Sequence, residues 1–283
     1  MKFDELLQTS RFLEGCIKAG AKLAPLLAKR DRTMFVRHSK GAGGDISIGA
    51  DLVCEEEFGE ALLGIASLDS EEGGVIKCKG DSSDIIVLDP LDGSDNYLSN
   101  IPYYGASLAL CDKEGRVKEA CIMNFCSGEV FYDREDSKQG HKTSSTQNPL
   151  NEISPSYTKL HLFREEILHP TSITDNAPPL QLPKCGIFER AYCNPNIVAK
   201  LHNHKVKFRS LGAGALSWVY CLEGRFLLLG GKSRRYDAKA GQFLARDLHI
   251  REIVDKNGAF FLLVSKYKEV FDMISGIVLD SAH

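Results

Sequence analysis

The amino-acid sequence predicts an α+β fold, in which helices and strands are mixed without strict alternation. Residues 3–29 carry apolar side chains at helical spacing. The run 85–88, Ile-Ile-Val-Leu, is wholly apolar, as is typical of a strand buried on both faces. Several short strands follow it before the next helical segment, and no internal repeat is visible. This order favours layered α+β packing over a doubly wound parallel sheet.

The first part of the chain is predicted to combine helices with a group of strands. Residues 3–29 form one long amphipathic helix, or two, with a break late in the segment at Pro25. Three glycines within four positions make 38–45 a predicted loop. The other predicted elements are a helix over 51–67 and strands over 85–88, 104–110, 117–125 and 129–132, with a turn at 112–115.

The second part continues with helices over 194–204, 213–222, from about 237, and 266–278, and with strands over 226–229 and 259–264. Two polar stretches without period, 136–151 and 171–184, predict loops. The first of these loops is the best candidate boundary. We therefore divide the chain into an N-terminal α+β half, 1–145, and a C-terminal α/β half, 146–283.

Composition excludes several classes of protein. Of the 283 residues, 43% are hydrophobic and 26% are charged, which is ordinary for a globular chain. A disordered tail, a collagen-like fibre and a small disulfide scaffold are thereby excluded. The formal net charge of −3 provides no global basic field, so we expect no nucleic-acid partner.

The expected compartment is the cytoplasm. No apolar stretch reaches the roughly 18–20 residues of a membrane span, so no membrane partner is expected. The charged start, Met-Lys-Phe-Asp-Glu, lacks the apolar core of a secretory signal. Nine cysteines are an odd number, and their scattered spacing, without Cys-x-x-Cys, indicates reduced thiols.

The stretch 89–96, Asp-Pro-Leu-Asp-Gly-Ser-Asp-Asn, carries the most chemical information. It directly follows the predicted buried strand, so Asp89 falls at the end of that strand. Gly93 and Ser94 begin what resembles a helix, whose first backbone N–H groups are free. The carboxylates could hold hard cations, and the N–H groups could receive a phosphate. For this segment alone, a solvated turn with an aspartate as helix cap is the alternative.

Two further acidic motifs accompany this stretch. Glu71 and Glu72 precede two glycines, and Asp237 stands in Tyr-Asp-Ala-Lys-Ala-Gly over 236–241. Together and in this order, the three motifs resemble the inositol monophosphatase / fructose-1,6-bisphosphatase superfamily of magnesium-dependent, lithium-sensitive phosphomonoesterases. Segments 45–51 and 209–216 are also similar to this superfamily, whereas 133–190 match nothing in it. The resemblance implies the layered α/β/α/β/α sugar-phosphatase fold with mixed sheets.

The resemblance also implies a cofactor of two or three Mg²⁺ ions, with Mn²⁺ as a substitute. The implied ligands are Glu71, Asp89, the Leu91 carbonyl, Asp92 and Asp237. Mg²⁺ prefers oxygen ligands and is typically shared with a substrate phosphate. Two such ions can activate the attacking water and neutralise the leaving alkoxide in line. The half 1–145 would then carry most of the ligands, and 146–283 would carry Asp237 and the specificity pocket.

Three residues are implied to be catalytic: Glu71, Ser94 and Asp51. Ser94 takes the family's threonine position, which helps to orient the nucleophilic water, and serine keeps the hydroxyl. Asp51 resembles the acidic residue that accepts the proton of this hydroxyl or orients the water. The amides of Gly93 and Ser94 would cradle the phosphate.

The sequence departs from the inositol monophosphatase pattern at position 230. Those enzymes usually carry an acidic residue about seven positions before the distal aspartate, where this chain has Gly230. Lys232, Arg234 and Arg235 instead precede Asp237, in an arrangement similar to the Lys-x-Arg run of fructose-1,6-bisphosphatases. Because lysine and arginine pair well with phosphate, these three side chains are predicted to bind a second phosphate. A solvated basic turn is the alternative.

The first hypothesis is therefore hydrolysis of a small phosphate ester, fructose 1,6-bisphosphate, to fructose 6-phosphate, a step of carbohydrate metabolism and gluconeogenesis. Inositol monophosphate, 3′-phosphoadenosine 5′-phosphate and the 2′-phosphate of NADP(H) are alternatives within the superfamily. A non-catalytic regulator that binds phosphorylated ligands is an alternative of another class, although every metal ligand is present. A Ca²⁺-stabilised structural protein would need a denser loop of ligands. The resemblance implies a homodimer or homotetramer.

Overall fold

The computed structural model describes residues 2–135, 152–153, 155–164, 166–168, 183–255 and 257–279. The described helices are α1 (Phe3–Gln8), α2 (Arg11–Ala28), α3 (Gly49–Leu62), α4 (Ser94–Leu98), α5 (Pro195–Asn203), α6 (Gly214–Glu223), α7 (Arg235–Leu244) and α8 (Lys268–Leu279). The described strands of the first half are β1 (Arg37–Lys40), β2 (Ile46–Ile48), β3 (Ser67–Ser70), β4 (Gly74–Ile76), β5 (Ile85–Asp92), β6 (Gly105–Cys111), β7 (Val117–Asn124) and β8 (Glu129–Arg134). The remaining strands are β9 (Thr158–His161), β10 (Glu166–Leu168), β11 (Cys185–Glu189), β12 (Lys207–Arg209), β13 (Leu227–Gly230), β14 (His249–Val254) and β15 (Phe260–Ser265).

These elements form three helical layers that alternate with two sheets. The first sheet has eight strands in the order β10-β9-β8-β7-β6-β5-β3-β4, and the second has five in the order β12-β11-β13-β15-β14. Helices α1–α3 cover one face of the first sheet, α6 and α7 lie between the sheets, and α5 and α8 cover the second sheet. The expected α/β/α/β/α layering is confirmed.

Both sheets are mixed, as expected. In the first sheet β3 and β5 are parallel, while β5 pairs antiparallel with β6. In the second sheet β11 runs parallel to both β12 and β13, while β13 and β15 are antiparallel. The parallel neighbours β3 and β5 matter for function, because their carboxyl ends lie at the same edge of the sheet.

The apolar run in β5 is explained by burial on both faces. Ile86 and Leu88 belong to the core beneath α1–α3, whereas Val87 belongs to the core beneath α6 and α7. A strand between two helical layers has no solvated face, so its residues do not alternate between apolar and polar.

The amino-terminal helices differ from the expectation in where they divide. The division falls at Thr9–Ser10, where the Ser10 hydroxyl oxygen accepts the backbone N–H of Leu13 at 3.0 Å and caps α2. Pro25, the predicted break, lies inside α2, which continues to Ala28. Burial of the side chains around it, such as Leu27, outweighs the hydrogen bond that the proline ring removes.

The predicted loop 38–45 is partly wrong, because this segment belongs to a β-hairpin. Strands β1 and β2 pair antiparallel around the glycine-rich turn. The N–H of Gly43 donates to the Glu71 carbonyl oxygen at 2.6 Å, and a Cβ at position 43 would overlap the Glu71 side chain. The glycine therefore permits close approach of the hairpin to an acidic residue of the candidate site.

The polar stretches 136–151 and 171–182 lie outside the described residues, and with them the predicted boundary at 145. Strand β9 pairs with β8, and β10 pairs with β9, so the first sheet draws strands from both predicted halves. No described helix is long and apolar enough to span a membrane. All nine cysteines are free thiols, and Cys16, Cys111, Cys121 and Cys221 are buried.

Candidate metal centre

Three carboxylates from distant parts of the chain converge at one edge of the first sheet. Glu71 directly follows β3, Asp89 lies in β5, and Asp237 lies in the first turn of α7. One carboxylate oxygen from each lies within 4.8 Å of the others, and all three residues are buried. The backbone N–H of Glu71 donates to the Leu88 carbonyl oxygen at 3.0 Å, which places Glu71 beside Asp89.

Asp92 lies next to this group but is held separately. The pairing of β5 with β6 is irregular between Asp89 and Asp92, so the two carboxylates do not follow simple strand alternation. The N–H of Leu216, in the first turn of α6, donates to Asp92 Oδ2 at 2.8 Å. Between the two acids, the Leu91 N–H donates to Asp89 Oδ1 at 3.1 Å, and the Leu91 side chain is buried.

Burial makes this group of carboxylates electrostatically costly. Desolvation is the main cause, and the nearby negative charges are a smaller one, of a pKa well above the ordinary value for both Asp89 and Asp92. Burial also raises the pKa of Glu71 to about 7, although the charge of Arg234 opposes this shift. A bound cation would remove the repulsion. In the part of the chain that the structure describes, the converging donors are carboxylate oxygens alone, and these fit a hard cation such as Mg²⁺.

Arg234 is the cationic side chain that lies within the acidic group. Its guanidinium forms an ion pair with Glu71, donates from Nη1 to Asp45 Oδ2 at 2.6 Å, and lies 3.4 Å from Asp237 Oδ2 through Nε. Burial lowers the pKa of Arg234, but the charges of Asp237 and Glu71 more than reverse this and raise it. One predicted phosphate-binding residue is therefore engaged by the predicted metal ligands.

The other two predicted phosphate-binding residues lie in different surroundings. Arg235 Nη2 donates to Asp69 Oδ1 at 2.6 Å and to the Tyr236 hydroxyl at 2.9 Å. Lys232 is exposed, and its carbonyl oxygen accepts Arg190 Nη1 at 3.4 Å. Arg234 and Arg235 thus pair with different carboxylates, and the joint role of the three basic residues stays a prediction.

Gly93 and Ser94 begin the short helix α4, as the sequence indicates. Gly93 has φ +85°, a left-handed conformation that favours glycine. Asp51 is buried in the first turn of α3, where its Oδ2 accepts the Ile48 N–H at 2.7 Å. Burial, with smaller contributions from Glu72 and Asp95, raises the pKa of Asp51 to about 7. Among the described residues no hydrogen bond joins Asp51 to Ser94, and the joint role of the pair stays a prediction.

Sequence reasoning missed Glu189, the last residue of β11. This buried carboxylate accepts hydrogen bonds from the segment that leads into α6. The sequence signal for this residue was weak. Strand β11 has five residues and follows a long polar stretch, so no strand was predicted there. The sequence signal of this strand consists of the two apolar residues before Glu189, which are Ile187 and Phe188.

The departure at Gly230 has a steric basis in the structure. Gly230 ends β13, and a Cβ there would overlap the side-chain amide of Asn194. The Asn194 amide in turn donates to the Arg190 carbonyl oxygen at 2.9 Å. An acidic side chain at position 230 would therefore require this asparagine side chain to move.

Comparisons with known proteins agree with the resemblance. Residues 9–248 match the model of the Inositol monophosphatase family. A fructose-1,6-bisphosphatase/inositol-1-monophosphatase of Methanothermobacter thermautotrophicus is 32% identical over 124 residues, which are 39% of this chain and 44% of that protein. The chain thus matches less than half of the length of that relative.

Two further similarities extend over more of the chain. Nus factor SuhB of Escherichia coli (strain K12) is 26% identical over 239 residues, covering 82% of this chain and 80% of that protein. The fold is similar to that of Leishmania major fructose-1,6-bisphosphatase in holo form, with a TM-score of 0.69. That similarity covers 97% of each chain at 14% identity and therefore shows the fold alone.

Proposed function

The chain belongs to the inositol monophosphatase family, and from this premise we propose that it is a metal-dependent phosphomonoesterase. The proposed reaction is hydrolysis of fructose 1,6-bisphosphate to fructose 6-phosphate. The convergence of Glu71, Asp89 and Asp237, with carboxylate oxygens within 4.8 Å of one another, supports the metal-dependent chemistry most directly.

Mg²⁺, or Mn²⁺ in its place, is the proposed cofactor. Glu71, Asp89 and Asp237 would hold the ions, with Asp92 and the Leu91 carbonyl as further ligands. When bound, the ions supply Lewis-acid stabilisation of the phosphoryl and leaving-group oxygens. The chain itself contributes three buried carboxylates, whose negative charge would attract cations to the place where an anionic ester must bind.

The residues around α4 have the proposed task of handling water and phosphate. The Ser94 hydroxyl would orient the attacking water, and the amides of Gly93 and Ser94 would bind a phosphate oxygen. Asp51 would accept the proton that the water loses. A pKa of about 7 suits this role, because a general base works best when its pKa lies near the working pH.

An exposed basic rim supports a substrate with a second phosphate. Lys232 lies two positions after Gly230, and Arg190 Nη1 donates to the Lys232 carbonyl oxygen at 3.4 Å. Both side chains are exposed and could meet an anion that approaches from solvent. Arg234 would join them when a cation takes over its carboxylate partners.

The experiment is Mg²⁺-dependent phosphate release over a panel of sugar, inositol and nucleotide phosphates, with EDTA as the control. We expect fructose 1,6-bisphosphate to be hydrolysed fastest. Lys232→Ala should raise its KM about tenfold, the scale of one charge-assisted phosphate contact, while leaving the KM of a monophosphate unchanged. Lys239→Ala is the matched control, because Lys239 binds the Gly115 carbonyl oxygen instead. Hydrolysis of inositol 1-phosphate but not of fructose 1,6-bisphosphate would overturn the substrate assignment.

A non-catalytic regulator that binds phosphorylated ligands is the second candidate. The similarity to a protein named Nus factor SuhB over 82% of this chain favours it. Absence of phosphate release from every substrate, combined with measurable binding of a phosphate ester, would support this alternative over the enzyme.

We further propose a cytoplasmic location and a homodimer or homotetramer. Nine free thiols suit a reducing compartment. Cell fractionation tests the location, and light scattering coupled to size-exclusion chromatography tests the subunit number. A monomeric mass would contradict the assembly without affecting the proposed chemistry.

A further inference from the structure

Glu189 ends β11 as a buried carboxylate, and its hydrogen-bond partners among the described residues come from one segment. Its Oε1 accepts the Leu211 N–H at 3.2 Å and the Ser217 hydroxyl, and its Oε2 accepts the Gly212 N–H at 2.9 Å. The three donors lie in 211–217, which includes the first turn of α6. Glu189 therefore fixes the position and direction in which α6 begins.

The first turn of α6 contacts two acids of the candidate metal centre. The Leu216 N–H donates to Asp92 Oδ2 at 2.8 Å. A Cβ built on Gly214 would lie 3.5 Å from the Asp237 side chain, so the helix backbone abuts that acid closely. A displacement of this turn would move the hydrogen-bond donor of Asp92 and the wall beside Asp237 together.

The same segment is tied to the helix that follows the acidic stretch. The Asn96 side-chain amide, in α4, donates to the Leu211 carbonyl oxygen at 2.8 Å and to the Tyr103 carbonyl oxygen at 2.8 Å. The segment held by Glu189 thus contacts α4, which begins with Ser94, as well as the acids. These contacts span elements that are far apart in the sequence.

A carboxylate is an unfavourable residue for this position unless its hydrogen bonds are needed. Glu189 pairs in register with Leu229, and Ile187 and Phe188 precede it in a buried strand. Its negative charge also lies near Asp92, whose own charge is already destabilised by burial and by Asp237. An apolar residue would avoid both costs but would leave the Leu211 and Gly212 N–H groups without their acceptor.

We propose that Glu189 is a positioning residue for the metal centre: by holding the first turn of α6, it places the groups that orient Asp92 and Asp237. This inference rests on the proposed function, which includes a bound divalent cation. It concerns cation affinity as well as turnover. Residues that orient metal ligands typically change affinity or activity about 10- to 100-fold when they are altered.

Glu189→Gln tests the proposal. Glutamine keeps the size but has one acceptor oxygen, so it cannot serve N–H donors on both sides as the carboxylate does. We expect Mg²⁺ and Mn²⁺ to bind about tenfold more weakly by calorimetry, and kcat to fall more than KM changes. Ser217→Ala, which removes one donor and leaves Glu189 in place, should shift affinity in the same direction by a smaller factor.

Two control variants separate positioning from general damage. Glu119→Gln is the same chemical change, and Glu119 accepts the hydroxyls of Ser10 and Tyr132 on a single oxygen, which glutamine can still do. Leu13→Ala creates a cavity in the core beneath α1–α3 and lowers stability away from the metal centre. Both should bind Mn²⁺ like the wild type when measured well below their melting temperatures.

Each outcome decides between the alternatives. Unchanged cation affinity in Glu189→Gln, or a loss equal to that of Leu13→Ala, overturns the proposal. If Glu189→Gln fails to fold, Ser217→Ala decides, and unchanged affinity there overturns it. A wild type that binds Mn²⁺ but releases no phosphate rejects the proposed function while the affinities still test Glu189. A wild type that binds no divalent cation rejects both.

Discussion

Arg234 forms an ion pair with Glu71 although the two residues are 163 positions apart in the chain. The same guanidinium lies 3.4 Å from Asp237 through Nη2. One side chain thus pairs with carboxylates from two distant parts of the sequence. It lies in the region where a divalent cation would have to approach the candidate metal centre.

Replacement of Arg234 by glutamine should therefore have opposite effects on cation binding and on metal-free stability. Removing a positive charge should strengthen Mg²⁺ binding in calorimetry about fivefold, as expected for one charge at short range in a partly solvated site. In EDTA, the free energy of unfolding should fall by about 1–2 kcal/mol, since the side chain is 35% exposed and solvent screens the pair.

Arg235→Gln is the matched control, because the Arg235 guanidinium pairs with Asp69 outside the acidic group. Its Mg²⁺ affinity should equal that of the wild type. Weaker Mg²⁺ binding in Arg234→Gln would mean that this guanidinium supports the cation ligands and does not compete with the ion.

Asp92→Asn should abolish phosphate release while the protein stays folded. Asparagine keeps an oxygen that can accept the Leu216 N–H but loses the negative charge. We expect turnover to fall about a thousandfold or more, the scale of losing a group that stabilises the transition state. Phosphate release and thermal unfolding by circular dichroism are the measurements, with the exposed Asp81→Asn as control. Turnover near that of the wild type would remove Asp92 from the catalytic machinery.

The stability of the metal-free protein should depend on pH through Glu71. Burial raises the pKa of this group from 4.5 to about 7, so the native chain holds a proton that the unfolded chain releases in this interval. The contribution to stability is complete below about pH 4.5 and is lost as the pH rises through 7. Its full size is about 3 kcal/mol. Asp51 shifts in the same direction, from 3.8 to about 7.

Urea unfolding in EDTA, compared between the wild type and Glu71→Gln, isolates this effect. The variant should gain stability relative to the wild type as the pH rises from 4.5 to 8. A difference that is constant over this range would contradict the assignment. With saturating Mg²⁺ the wild type should instead become more stable as the pH rises toward 7, because cations bind the deprotonated carboxylates.

Gly93→Ala should destabilise the turn between the acids and α4. At φ +85° a side chain is strained, and the new Cβ would lie 3.0 Å from the Tyr103 carbonyl oxygen and from Ala213 Cβ. We expect the free energy of unfolding to fall by about 1–3 kcal/mol, with a loss of activity as Ser94 shifts. Gly64→Ala is the control, since nothing lies within 4 Å of the added Cβ. Equal unfolding midpoints for the two variants in urea would contradict this account.

The sequence was most informative where local chemistry and burial coincide. The run at 85–88 predicted a central strand, because only a strand between two covered faces is apolar throughout. Helices α5, α6 and α8, and the start of α7, were predicted within about three residues, since each carries an apolar stripe at helical spacing. The acidic motifs predicted which carboxylates would meet, and three of them do.

The structure differs from the prediction where tertiary contacts override local pattern. All four residues of β1 are exposed, so this strand has no apolar alternation to detect. Pro25 does not end α2, because burial of this helix against the core outweighs the helix-stop signal of the proline. The ion pair between Arg234 and Glu71 could not be predicted from the spacing of the residues in the sequence. Basic residues that precede an acidic residue are equally compatible with a phosphate pocket and with an ion pair.

The three converging carboxylates come from distant parts of the sequence, so the candidate metal centre forms only when all of these parts are present and folded. Glu71 and Asp89 are synthesised early and Asp237 late, so a chain that has not yet reached Asp237 lacks one of the three carboxylates. A cation that binds only the completed molecule stabilises it by mass action. A divalent ion at this centre would therefore stabilise the folded chain only after all three carboxylates have come together.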